Sequence, residues 1–367
     1  MKTITTNTGA LLNSVAVANT FMPKEGDFLG KMVMVGNDGK LQVKASDLVQ
    51  TIIYKNIDFV SSDLTDSDFK AFSIDGKRLL TTLKAAKTDE VSIEIHAEHI
   101  VIKSGRSKVK IETMANTQTI EIQSGNGSSF DFSSQIGGFE QILHAVDTNN
   151  PKFELNGAFL QIKNGVFCIV STDAKRLAVV TTETTLNDKE VIIPKSGIQT
   201  IVKLFKGFNI SAEIESTNLS VHTDGISFST KLINGKFPEW QRIVPQTLTQ
   251  RITVDRYRLS ELLKEASLFD SSVSITIRNG EITIKDFEGN TEVVDTVSDT
   301  NANIVFGINS RVLLDFLASY NEDNVQIGFN GPNLPIMLIA NPNYKEVAMP
   351  LVMQAETGVQ DDESKAA

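Results

Sequence analysis

The sequence predicts an α+β fold made of three copies of one unit, each with two helices packed on antiparallel sheets. Two observations carry this: a long repeat running through the 367 residues, and helix-period runs alternating with strand-period runs inside each copy. Phe72–Leu80, Val191–Gln199 and Val305–Leu313 each lead a short β-like run into a helix-like one. With Ile74, Pro194 and Ile308 taken as equivalent, the copies stand 120 and 114 residues apart. A period that long is not a solenoid unit, so each copy is expected to be a domain in its own right. The composition agrees, since 41% hydrophobic residues leave enough apolar material for three cores.

A further helix is expected ahead of each of these junctions, over Thr8–Asn19, Ser134–Asp147 and Asp255–Leu268. Ser134 and Asp255 have the chemistry of N-caps. The β-runs Leu41–Lys44, Phe167–Val170 and Ile282–Lys285 each follow an Asp-Gly or Asn-Gly pair, the signal of a tight hairpin. Later hairpins are expected at Ile100–Ile111, Leu219–Leu232 and Ile336–Met349. The polar stretch Ser124–Ser129 and the region Gln246–Gln250 read as linkers, which places domains at 1–125, 126–248 and 249–353. Residues 354–367 are acidic and aperiodic and are expected to form a disordered tail.

Charge narrows the function. With 35 basic against 45 acidic residues the chain carries −10, so it will not coat nucleic acid indiscriminately. Any contact with a polyanion has to come from local clusters of Lys and Arg. Such clusters recur on the second helix of each copy. In the middle copy Ile198, Ile201, Val202 and Phe205 make an apolar stripe, and Lys195, Lys203 and Lys206 lie opposite it. In the first copy Leu79, Leu80 and Leu83 turn inward, while Lys77 and Lys84 face away with Arg78 and Lys87 beside them. The third copy offers Leu313, Phe316 and Leu317 inward and Arg311 outward, partly offset by Asp315. One such helix alone reads as an ordinary solvated face. Three at equivalent positions on an acidic chain read as a surface for duplex DNA, contacted through phosphates and without base readout. The interleaved aromatics on which single-strand binders stack bases are missing from these faces.

Several chemistries are set aside. A single cysteine, Cys168, excludes an internal disulfide framework, and its apolar run Val166–Val170 marks it as a small buried hydrophobe. There is no Walker loop, no dinucleotide fingerprint and no Gly-x-Ser-x-Gly elbow, so no cofactor and no catalytic residue is expected. His96 and His99, placed in one alternating run, are expected on opposite faces and not as metal ligands. No stretch is apolar enough to span a membrane. Ala10–Ala18 is broken by Asn13 and Ser14, so it does not read as an export signal, and the chain is expected in the cytoplasm. The competing class is a metal-dependent nuclease built on scattered carboxylates. A β-rich adhesion scaffold is less favoured, because it calls for disulfides or Ca²⁺ loops.

Three segments are more specific. One is Ser171–Ala178, reading Ser-Thr-Asp-Ala-Lys-Arg-Leu-Ala; another is Ile233–Pro245, with Phe-Pro-Glu-Trp-Gln-Arg-Ile-Val-Pro at its end; the last is Glu346–Met353. Together with the repeat they resemble the bacterial DNA polymerase III beta subunit, the sliding clamp, over roughly the whole chain. That family commonly has Gly and His where Ala174 and Lys175 stand, and its Thr-Leu-Pro-Ile-Leu stretch is replaced here by Met22–Leu29. The resemblance implies a non-catalytic, head-to-tail homodimeric ring of six domains, with helices lining a hole around duplex DNA. It implies as partners the polymerase III catalytic subunit, the clamp loader and other proteins bearing a clamp-binding motif. The dimer contact is expected to use the Ser104–Ile111 strand of domain one against domain three of the next subunit. The family's partner pocket maps onto Leu155, Thr172, Ala174, Lys175, Arg176 and Leu177, then onto Pro238, Arg242, Ile243 and Val244, and finally onto Val347, Met349, Pro350, Leu351 and Met353. Such a set suits a groove for a short apolar peptide, with Thr172 and Arg176 as anchors for backbone groups. Without the resemblance, its apolar members read as core.

Overall fold

The computed structural model describes residues 2–22, 31–37, 40–62, 71–115, 120–122, 129–289, 292–296 and 302–353. The Asp38-Gly39 turn, the departure at residues 23–29, most of the Ser124–Ser129 linker and the acidic tail lie outside the described residues.

The first copy runs β1 (Lys2–Asn7), α1 (Thr8–Ala18), β2 (Lys31–Asn37), β3 (Lys40–Ser46), β4 (Gln50–Ser62), β5 (Phe72–Asp75), α2 (Gly76–Lys84), β6 (Glu90–Ile95), β7 (His99–Ser104) and β8 (Ser107–Ala115). The middle copy begins with β9 (Phe130–Asp131), α3 (Gln135–Ile142), β10 (Gly157–Lys163), β11 (Val166–Thr172) and β12 (Arg176–Glu183). It continues through β13 (Lys189–Pro194), α4 (Lys195–Phe205), β14 (Ser211–Ile214), β15 (Asn218–His222) and β16 (Ile226–Lys231). The last copy runs β17 (Gln250–Asp255), α5 (Arg256–Ala266), β18 (Ser272–Arg278), β19 (Glu281–Asp286), β20 (Glu292–Thr296), β21 (Ile304–Asn309), α6 (Ser310–Ala318), β22 (Asn324–Phe329), β23 (Ile336–Asn341) and β24 (Tyr344–Ala348). The order of helix and strand repeats as the sequence leads one to expect.

Tertiary contacts group the chain into two compact units, and the middle copy contributes to both. Unit 1 holds residues 1–137 and 192–234; unit 2 holds 138–191 and 235–367. In unit 1 a 12-stranded antiparallel sheet runs β1-β6-β7-β8-β5-β2-β3-β4-β16-β15-β14-β9, so β4 of the first copy pairs directly with β16 of the second. Unit 2 repeats the device: its 8-stranded sheet runs β13-β10-β11-β12-β24-β23-β22-β17, with β12 against β24. A 4-stranded sheet, β20-β19-β18-β21, completes it.

The turns explain the registers. Asn164 and Gly165 have φ of 51° and 76°, and Asn279 and Gly280 have 52° and 79°. Two consecutive left-handed residues make the two-residue loop whose twist matches the flanking strands, so Lys163 faces Val166 and Arg278 faces Glu281. In β3 only Leu41, Val43 and Ala45 are buried, the alternation of a sheet covered on one face. In β10 six successive residues are buried, because both faces of that strand are covered.

The helices start where capping chemistry lets them. Asn7, Asp75, Asp255 and Asn309 each accept a backbone N–H of the first turn of α1, α2, α5 and α6. Ser134 stands immediately before α3, as expected of a cap, and its hydroxyl donates to the Gln135 side chain. The α-helix there ends at Ile142 and finishes in a 3₁₀ turn, Leu143–Ala145, short of the expected Asp147. Helix α1 packs on α2 in unit 1, and α5 packs on α6 in unit 2. Among the described residues no helix is long and apolar enough to cross a membrane.

Candidate functional site

The basic helix faces are where periodicity puts them. Leu79 and Leu83 of α2 are buried, Leu80 is half-buried, and Lys77, Arg78 and Lys84 are exposed. In α4 the stripe is Ile198, Ile201 and Phe205, with Val202 half-buried; Lys203 and Lys206 are exposed and Lys195 is half-exposed. Both helices belong to unit 1, while α6, with Arg311 exposed, belongs to unit 2. Asp315, expected to offset Arg311 in part, is also engaged from another element. Its carboxylate accepts Arg176 Nη1 at 2.8 Å.

Unit 2 holds the residues expected in the partner pocket, and two of their three segments, Thr172–Leu177 and Val347–Met353, meet at the junction of β12 and β24. Arg176 lies opposite Ala348 and Leu177 opposite Val347, and the Met349 amide then donates to the Lys175 carbonyl at 2.9 Å. The chain continues to Leu351, which bridges to Gly307. A Cβ at Gly307 would come within 2.8 Å of Phe287 Cζ, 3.0 Å of Met353 Cγ and 3.3 Å of the Leu351 carbonyl oxygen, so glycine eases the close approach of the last residues. Leu155, Thr172, Leu177, Val244 and Val347 are buried. Ala174, Lys175, Pro238, Arg242, Ile243 and Met349 are exposed, and Pro350, Leu351 and Met353 lie between these extremes. The segment carrying Pro238–Val244 is held from β10, where Phe237 stacks on Phe159 with centroids 5.0 Å apart.

Two expected peptide anchors are engaged inside the chain. Thr172 Oγ1 donates to the Arg176 carbonyl at 2.6 Å and accepts the Ala174 amide at 3.1 Å, closing the turn. Arg176 is only 10% exposed and already donates three hydrogen bonds: Nε to Asp173 at 3.0 Å, Nη1 to Asp315, and Nη2 to the His144 carbonyl at 2.9 Å. Burial works against its charge, and the carboxylates of Glu346, Asp315 and Asp173 more than offset that, so its pKa stays above the ordinary value. Arg242 is also committed, pairing on the surface with Glu239 at 2.7 Å.

Behind the turn lies a network that sequence reasoning missed. Glu346 is fully buried, and its Oε2 meets His144 Nε2 at 2.6 Å. Burial pushes the Glu346 carboxyl above the usual range, while the hydrogen bond to His144 and the charge of Arg176 pull the other way. Glu346 and His144 are 202 positions apart, so no local pattern could have joined them.

Ala174 has φ of 70°, a left-handed conformation that glycine adopts freely. His96 and His99 do not point to opposite faces. The chain turns between β6 and β7, and the two rings stack in parallel with centroids 4.4 Å apart. Cys168 is buried, and desolvation raises its thiol pKa, as suits a structural residue.

Comparison with known proteins places this geometry. Residues 135–239 match the profile described as the DNA polymerase III beta subunit, central domain, and residues 241–354 match that of its C-terminal domain, together more than half of the chain. The beta sliding clamp of Helicobacter pylori is 24% identical over 82% of this chain and 83% of its own length. That of Vibrio cholerae is 22% identical over 88% of this chain and 92% of its own. Among solved structures, the sliding clamp of Pseudomonas aeruginosa bound to griselimycin superposes with a TM-score of 0.87 at 20% identity, covering 96% of this chain and all of that one. The Helicobacter pylori clamp bound to a DNA ligase peptide gives the same TM-score and coverage at 22% identity.

Proposed function

Because the chain belongs to the DNA polymerase III beta subunit family, we propose that it acts as a sliding clamp, a non-catalytic ring around duplex DNA that tethers the replicative polymerase. The carrying observation is the ordered match of central and C-terminal clamp domains over 135–354, on a chain whose first copy repeats the same elements. In this reading the clamp domains are 1–125, 126–248 and 249–353, and six of them, from two copies in the cytoplasm, close the ring. The competing nuclease reading loses ground to relatives named beta sliding clamps.

Edge strands support a head-to-tail dimer. Over Ser107–Glu112 β8 pairs only with β7 among the described residues, and its outer row carries exposed Lys108 and Lys110. The outermost strand of the 4-stranded sheet, β20, carries Glu292 and Asp295. Leu268 and Phe269, at the end of the helix packed on β20, are 68% and 74% exposed. Glu292 and Asp295 are already paired within the chain, with Lys285 and Arg258, so an open basic edge, a second open edge strand and an uncovered apolar pair are what two copies would join.

Lys77, Arg78, Lys84, Lys195, Lys203, Lys206 and Arg311 would contact phosphates. Such contacts need only be weak and blind to sequence, because a closed ring holds DNA by topology. The polymerase III catalytic subunit, the clamp loader and other clamp-binding proteins would dock at the β12–β24 junction, with Met349, Pro350, Leu351 and Ile243 offering the accessible apolar surface and the Arg176 network holding the turn from behind.

Retention on DNA tests the reading directly. Clamp loaded on nicked circular plasmid should survive gel filtration and should be released when the plasmid is cut once to a linear form. Equal loss from both forms would overturn the encircling function.

A further inference from the structure

We propose that unit 1 carries a second peptide-docking site, an internal copy of the β12–β24 junction centred on Leu48 and Val49, for a peptide pairing an aliphatic with an acidic side chain. The inference rests on the partner-pocket reading of that junction.

The duplication is atomic in detail. Thr172 Oγ1 accepts the Ala174 amide and donates to the Arg176 carbonyl; in unit 1 Ser46 Oγ accepts the Leu48 amide at 3.2 Å and donates to the Gln50 carbonyl at 3.1 Å. Asp173 Oδ1 accepts the amides of Lys175 and Arg176; Asp47 Oδ1 accepts those of Val49 and Gln50 at 2.9 and 2.6 Å. Met349 donates to the Lys175 carbonyl at 2.9 Å, and Lys231 donates to the Val49 carbonyl at 2.9 Å. The next contact repeats as well: Leu351 bridges to Gly307, and Ile233 bridges to Ile192. The β4–β16 junction thus presents its turn and closing strand in the arrangement of β12–β24.

The side chains on the copied turn are the unexpected part. Leu48 has φ of 73°, the left-handed conformation Ala174 shows at 70°, yet Leu48 is 56% exposed and Val49 48%. A branched residue held in that conformation is strained, and here no burial compensates the chain for it. Strain of this kind gathers at ligand clamps, and an aliphatic pair lifted into water on a rigid turn suits a contact with something outside the chain.

Charge chooses the occupant. A cavity of about 330 Å³ adjoins the turn, reached between Asp47, Gln50 and helix α4. Val17, Phe21 and Leu204 give it an apolar floor, while Ser196, Gln199 and Lys203 bring donors. Asp47 at its edge keeps its negative charge while one oxygen accepts two backbone amides; against it stand two exposed ammonium groups, Lys203 in the lining and Lys231, whose amide bonds Val49. The two ammonium groups outnumber that carboxylate, so the surface is apolar at its crest and net positive beside it, which complements an acidic peptide with an aliphatic anchor.

The test is a calorimetric titration of the full chain with the synthetic peptide Glu-Leu-Asp-Leu-Phe. Two peptides should bind per chain. The exposed double variant Leu48→Gly/Val49→Ala should keep the fold, because glycine accepts the strained φ, and it should retain one site with the other weakened roughly tenfold or more. Deleting Met349–Met353 should remove the opposite site. A single site per chain, lost on that deletion and indifferent to the turn variant, would overturn the inference and leave the partner-pocket reading standing. A site surviving the deletion but lost in the turn variant would support the inference while sinking the other reading, and no binding at all would sink both. Should the turn variant keep two peptide sites and instead weaken binding of a 20-base-pair duplex, the surface belongs to DNA and the proposal is wrong.

Discussion

Gln50 in unit 1 and Arg176 in unit 2 close the same hydrogen-bonded turn, and each then reaches a facing helix with different electrostatics. Gln50 Oε1 accepts Thr200 Oγ1 of α4 at 3.1 Å, one neutral hydrogen bond beside a cavity. Arg176 meets Asp315 of α6, Asp173 and the His144 carbonyl, with Glu346 buried behind it. The backbone accepts either solution. A charged filling demands a whole set of partners, and even then leaves Glu346 Oε1 and His144 Nδ1 without a hydrogen bond. Such networks fix a geometry more than they add stability.

The largest effect expected from breaking this comparison is at Arg176. Arg176→Ala strands the buried Glu346 carboxylate and frees Asp315 and Asp173, and should cost about 3–4 kcal/mol, read as a fall in the urea midpoint. A loss no larger than that of an ordinary surface substitution would mean that the network contributes nothing. The next effect is a pH dependence carried by Glu346 in unit 2. Glu346 sits above the ordinary carboxylate value of 4.5. Between that value and its raised one the folded chain keeps a proton the unfolded chain has released, so stability contributed here falls as pH rises through the window. Glu346→Gln should remove this contribution, so that on acidifying toward 4.5 the parent's denaturation midpoint gains on the variant's. A profile as steep as the parent's would place the titrating group elsewhere. In unit 1 the corresponding loss is smaller: Gln50→Ala removes one neutral acceptor and should cost about 1 kcal/mol, with no change in pH profile.

The contrast also shows what a sequence discloses. Helices and hairpins were legible because apolar periodicity and Asn-Gly pairs are local signals, and the cap at Asp255 followed from the same chemistry. Segments of the proposed partner site come from resemblance, and the hydrogen-bonding roles inside them were not legible in the sequence. Arg176 reads as a peptide anchor from its segment alone, whereas three of its five donors go to partners in the chain, two of them 139 positions away at Asp315 and 32 away at His144. Asp315 looked like a neighbour neutralising Arg311 for the same reason. Leu48 carried no warning at all, because a left-handed φ on a leucine is set by the turn around it and not by its own preference.

The smallest predicted effect is the sharpest probe of that turn. Ala174 and Leu48 both hold a left-handed φ, which costs an L side chain about 1–2 kcal/mol. Glycine escapes that cost but gives back about 0.5–1 kcal/mol through its freer unfolded chain. Ala174 is exposed, so Ala174→Gly should stabilise by about 0.5 kcal/mol and raise the melting temperature by about 1–2 °C. If Leu48 is held as Ala174 is, with its side chain unused in the isolated chain, Leu48→Gly should bring the same small gain. A loss instead would show that the Leu48 side chain packs against its own chain, and would remove the argument that its strain serves a contact outside it.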